Sequence, residues 1–112
     1  MTLQLVQSDQ LPTADSYSQI VVATGKRLVF VAGQVAEDSQ GNLIGDGDLA
    51  VQARQAFGNV GRALAATGAA PEQVARITIY VVHYKPADTL VGVEALAEPQ
   101  HLIEIDAIAV VD

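Results

Sequence analysis

Residues 49–67 read LAVQARQAFGNVGRALAAT, and this is the strongest helical stretch in the chain. Asp48 ahead of it is a good N-cap, and Gly68 behind it sits where a left-handed residue ends a helix. Ala53, Phe57, Val60 and Leu64 recur at i, i+4, i+7 and i+11, which makes one apolar stripe. Gln52, Gln55, Asn59 and Arg62 fall on the other face. Gly58 and Gly61 each cost about 1 kcal/mol against alanine in a helix interior. Close packing against a sheet is the expected reason for them.

Outward from the helix, the periodic segments are strands. Gln19–Thr24 and Arg27–Gly33 flank Gly25-Lys26, a two-residue step that predicts a hairpin turn. Thr2–Val6 is a weaker strand. Pro71-Glu72 starts a short turn, and Val74–Val82 (VARITIYVV) is rich in β-branched residues and strand-like. Thr89–Leu96 and Leu102–Val111 follow, joined around Glu98-Pro99-Gln100. Residues 35–47 read as loop, with Asp38, Gly41, Asn42, Gly45 and Gly47 as turn formers. There is no internal repeat or linker, so the chain reads as a single α+β domain over residues 1–112.

One helix is too little for such a sheet. At 1.5 Å per residue it is about 28 Å long and covers part of one face. The strands are also apolar on both sides: Ile20, Val21, Val22 and Leu28, Val29, Phe30, Val31 hardly alternate. Strands of that kind are buried on both faces. The uncovered face is therefore expected to pack against another subunit, with a ligand site at the boundary.

Composition narrows the classes. A chain of 112 residues makes one domain, with a folded surface of roughly 5,900 Å² against roughly 17,000 Å² unfolded. Half the residues are apolar, yet only three tyrosines and two phenylalanines are aromatic, so the core is aliphatic. Thirteen acids against six bases give −7, which argues against nucleic acid and anionic membranes as partners. Cysteine is absent, which removes disulfides, thiol nucleophiles and thiolate metal sites. No apolar run reaches the ~20 residues of a membrane span and no basic-then-apolar leader is present, so a soluble, cytoplasmic protein is expected.

Few motifs carry chemistry. Gly45-Asp46-Gly47-Asp48-Leu49-Ala50 has the outline of a dinucleotide loop, but two aspartates would repel a pyrophosphate and the reading is a capped turn. A calcium loop would need a longer spaced ligand set than Asp46 and Asp48. His83 and His101 lack zinc spacing and read as loop histidines near strand ends, so no metal is assigned. The last strand says more. In LIEIDAIAV, Glu104 and Asp106 share a face with Leu102, Ile108 and Val110. Carboxylates in so apolar a run either lie on an exposed edge or line a cleft, where one could serve proton transfer.

The segments LVFVAGQVAEDSQGNLI (28–44), QARQAFGNVGRALAATGA (52–69), ITIYVV (77–82) and LIEIDAIAV (102–110), in that order, resemble the RidA/YjgF family. The resemblance covers nearly the whole chain. It implies a chorismate-mutase-like fold: a mixed β-sheet with helices packed on one face, assembling as a homotrimer with small-molecule clefts between subunits. It also implies hydrolysis of reactive enamine/imine intermediates to a 2-keto acid and ammonia, with no cofactor. In the family an arginine in P-A-R-[ST] holds the substrate carboxylate by a bidentate pair.

By the same resemblance, Tyr17 in DSYSQ matches a cleft tyrosine and Gly33 matches the glycine of an S-G-Q element, with Ala32 in place of the serine. Glu104 matches a water-positioning glutamate. The arginine motif reads Pro86-Ala87-Asp88-Thr89, so Asp88 stands where the cation belongs. Two like charges at ~4 Å and an effective dielectric near 20 repel by about 4 kcal/mol. The usual 2-imino acid reaction is therefore not expected. An amine or an uncharged ligand suits a cleft bearing Asp88 and Glu104 better, and a non-catalytic metabolite-binding or regulatory trimer is the alternative. Older family labels, ribonuclease and translation inhibitor, fit poorly with a −7 chain lacking a basic patch with stacking aromatics. Family members also carry a helix of ~20 residues before the P-A-R motif, as a parallel crossover needs. Here His83, Tyr84 and Lys85 alone stand there, which reads as a missing or deleted helical segment near 83–86.

Overall fold

In the computed structural model of the chain, which describes residues 2–82, 90–93 and 96–112, the helix and the last strand form the centre. β1 (Thr2–Val6) pairs antiparallel with β2 (Ile20–Thr24) in a two-stranded ribbon. β3 (Arg27–Gln34), β4 (Val74–Val82), β5 (Leu90–Val93) and β6 (Ile103–Val111) form a second, mixed sheet in the order β3-β6-β4-β5. β6 is antiparallel to both β3 and β4, and β4 is parallel to β5. Among the described residues one α-helix, α1 (Leu49–Ala66), packs on one face of that sheet, and Pro71–Gln73 makes a short 3-10 turn. This is the α+β class expected from the sequence.

The helix ends where its termini dictate. The Asp48 carboxylate accepts the Val51 N–H at 3.1 Å, satisfying one of the free donors of the first turn. Gly68 has φ 77°, a backbone that glycine adopts without strain, and the Gly68 and Ala69 N–H groups close back on Ala65 and Leu64 carbonyls.

The buried stripe is Gln52, Ala56, Val60 and Leu64: Val60 and Leu64 are as expected, whereas Gln52 and Ala56 take the places given to Ala53 and Phe57. Phe57 is 45% exposed, whereas Gln52 is fully buried. The reason is hydrogen bonding. Gln52 Nε2 donates to the carbonyls of Gly45 and Gln100, both at 3.0 Å, and its Oε1 accepts the Leu102 N–H at 2.9 Å. With all three bonds made, a polar side chain is tolerated in the core. Gly58 and Gly61 do not pack against the sheet: a side chain at Gly61 would meet nothing, and one at Gly58 only Arg62.

Gly25-Lys26 does not close a hairpin either, since β2 and β3 belong to different sheets. The corner instead docks on the end of β6. Lys26 N–H donates to the Val111 carbonyl at 3.0 Å, and a Cβ on Gly25 would collide with the Val110 side chain and lie 2.9 Å from the Val111 oxygen. Close backbone approach, not turn geometry, is what the glycine allows.

β6 alternates as its sequence predicts. Ile103, Ile105, Ala107 and Ala109 are buried under α1 with Val31 of β3 and Val81 of β4. Glu104, Asp106 and Ile108 turn to the other face and are half-buried. On that face Leu28 and Phe30 of β3 are 62% and 70% exposed. The two-sided apolar character of β3 is thus not used up within one chain.

Candidate functional site

Two bulges shape the open face of the sheet. Val31 lies opposite Ala107 and Gln34 opposite Ile105, so β3 carries an extra residue around Ala32-Gly33. Val74 lies opposite Ala109 and Arg76 opposite Ile108, so β4 carries an extra residue at Ala75. A bulge bends its strand and re-aims the neighbouring side chains.

At the first bulge, Glu104 lies over Gly33. The position a Cβ would take on Gly33 is 2.6 Å from both Cδ and Oε2 of Glu104. The carboxyl group therefore occupies space that exists because residue 33 has no side chain. Across the other edge of β6, Tyr80 is opposite Glu104 and Thr78 opposite Asp106. Two carboxylates, a phenol and a hydroxyl thus share one half-buried face.

At the second bulge, a cavity of about 880 Å³ opens between the chain entering β2 and the edge of β4. Tyr17, Gln19 and Val21 line one side, and Arg76, Thr78 and Ile108 line the other. The sequence-predicted residues thus divide in two. Ala32, Gly33 and Glu104 meet at the first bulge, whereas Tyr17 lines the cavity at the second. Asp88 and Thr89 lie outside the described residues, as does the connection at 83–86.

A third cluster was not anticipated. His101, read as a loop histidine, is 3% exposed just ahead of β6. Its Nε2 lies 3.0 Å from Glu37 Oε2 and 3.9 Å from Glu98 Oε2, while its Nδ1 has no partner among the described residues. One ligand atom from each of the three lies within 4.8 Å of the others, an arrangement able to share a proton or hold a cation. Its evident role is to tie the 35–47 loop to the start of β6. In that loop the Asp38 carboxylate accepts N–H bonds from Asn42 and Gln40, both at 2.9 Å, and these hold it below the usual 3.8.

A hollow of about 630 Å³ beside α1 is lined by Gln34, Glu37, Gln55, Asn59 and Arg62. Its polar groups are already engaged: Asn59 Nδ2 donates to the Val35 and Glu37 carbonyls at 3.1 and 2.8 Å, and Arg62 donates to Asn59 Oδ1 at 3.0 Å. These amides brace the loop against the helix.

With this geometry in view, likeness to known proteins is informative. The family model described as Endoribonuclease L-PSP matches residues 7–85. The RutC family protein slr0709 of Synechocystis is 35% identical over 83 residues, 72% of this chain, and the chain spans 62% of that protein's length. Protein DfrA of Myxococcus xanthus is 31% identical across 98% of this chain and 97% of its own. Among solved structures, the Rid-family protein YyfB of Yersinia pestis superposes with a TM-score of 0.87 at 30% identity, covering 98% of this chain and 99% of that one. The E. coli YjgF gene product superposes with a TM-score of 0.63 at 25% identity, covering 96% and 98%. Other neighbours are described as a putative endoribonuclease, from Thermotoga maritima, and a putative translation initiation inhibitor, from Vibrio vulnificus. No helix among the described residues is long and apolar enough to cross a membrane.

Proposed function

The chain belongs to the RidA/YjgF family, and on that premise we propose that its open sheet face is a small-metabolite site. Three copies complete the face as a homotrimer, with clefts at their boundaries. In each cleft Glu104 positions a water molecule for attack on the C=N carbon of an imine or enamine. Water adds across the C=N bond, ammonia leaves, and a carbonyl compound remains. The observation that carries this reading is the Glu104 carboxyl group seated over Gly33, on a half-buried face shared with Tyr80, Thr78 and Asp106, where partial desolvation strengthens its hold on water.

Asp88 sets the substrate class. An anion where the family has its arginine repels a substrate carboxylate, so the favoured ligand is an amine-derived imine without one. Ammonia release from freshly generated imines tests both points. An uncharged imine is expected to be hydrolysed faster than its spontaneous rate, with the acceleration lost in Glu104→Gln. 2-Iminobutanoate is expected to turn over at least tenfold more slowly than with an arginine-bearing relative. Equal turnover would overturn the role given to Asp88, and an unaffected Glu104→Gln would overturn the site.

Asp88 also favours a second reading, a non-catalytic binding trimer. Saturable binding of amines or keto acids with no ammonia release from any imine would select it.

A further inference from the structure

The cavity at the second bulge has a chemistry of its own. We propose that it is an anion site, in which Arg76 holds the carboxylate of a short aliphatic molecule, separate from the Glu104 site and in addition to it. Four observations converge there. Val74 and Ile77 both pack toward the core, and the extra residue at Ala75 between them is what brings Arg76 onto the open face opposite Ile108. The guanidinium has no hydrogen-bond or ion-pair partner among the described residues. Among the described residues the cavity is lined by one cation and no acid, in a chain with thirteen acids against six bases. Asp106, the nearest carboxylate by register, lies opposite Thr78, one row along the sheet, and is outside the lining. Finally, the walls are mixed: Tyr17, Gln19 and Thr78 can donate hydrogen bonds, while Val21 and Ile108 offer an apolar surface.

A guanidinium presents a planar fork of N–H groups matched to the two oxygens of a carboxylate. An apolar wall beside it suits a short hydrocarbon tail better than a phosphate, which would need further donors around it. The volume, about 880 Å³, is within the range of small-molecule sites.

The test is calorimetric titration of the full-length chain with butanoate, butanamide, butylamine and inorganic phosphate at low salt. Butanoate is expected to bind saturably and more tightly than the other three. Arg76→Gln is expected to weaken it at least tenfold, Arg76→Lys to a lesser extent, and Glu104→Gln to leave it within threefold. Arg76 is exposed and has no partner among the described residues, so these variants should keep the wild-type circular dichroism and melting temperature. Butanoate binding that survives in Arg76→Gln, preference for phosphate, or no saturable butanoate binding would each overturn the proposal. Failure of Glu104-dependent hydrolysis leaves the Arg76 result unmoved, so the two sites stand or fall separately.

Discussion

At Gly33 the absence of a side chain leaves the space that the Glu104 carboxyl group occupies. A methyl group there would sit 2.6 Å from the Glu104 carboxyl carbon, far inside van der Waals contact. The atoms it meets are the far end of a flexible side chain, which can swing away. Gly33→Ala is therefore expected to cost stability no more than about 1 kcal/mol while lowering Glu104-dependent ammonia release at least tenfold. Thermal melting and the ammonia assay on the same sample check the two halves. An alanine variant with full activity would show that the seat over Gly33 is incidental. The sequence alone could pair these residues only by resemblance, because what brings them together is a bulge.

At the scale of elements, the strands were legible and their partners were not. Val74–Val82 was read to the residue and Leu102–Val111 to within one, since β-branched composition and period-2 alternation are local properties. Gly25-Lys26 looked like a hairpin because turn chemistry is also local, whereas its true constraint is contact with Val110 and Val111, some 85 residues away in sequence. The bulges hid behind the alternation; the one trace was an apolar residue at 74 and again at 77. The helix stripe is legible at Val60 and Leu64 but not at its first two positions, because composition alone turns a glutamine toward water. Gln52 makes three hydrogen bonds to backbone groups of the 45 and 100–102 segments. Gln52→Leu would fill similar space but take their partner from the Leu102 N–H and the Gln100 carbonyl, while the Gly45 carbonyl keeps its bond from the Asp48 N–H. A loss of about 2–3 kcal/mol is expected, measured as an earlier urea midpoint at unchanged slope. A neutral or stabilising result would mean that these backbone groups find other partners.

At the scale of the molecule, one chain is more open than a compact monomer of its length. Its accessible surface is 7246 Å², against roughly 5,900 Å² expected for a monomer of this size. The radius of gyration is 15.3 Å, against about 13 Å for a compact chain of this length. The excess has an address: Leu5, Val22, Leu28 and Phe30 are 65%, 45%, 62% and 70% exposed, on the β1-β2 ribbon and the open side of β3. Exposed apolar area of that extent marks an interface. The expectation of a partner comes from the sequence, from the mismatch between one helix and strands apolar on both faces. The number of copies enters through the family resemblance. That the functional face is closed by further copies of this chain is the claim on which the Glu104 cleft depends. Sedimentation equilibrium tests it most directly: the wild-type chain is expected at three times its own mass, and Phe30→Asp at a lower one. A wild-type chain that stays monomeric at tens of micromolar would contradict it.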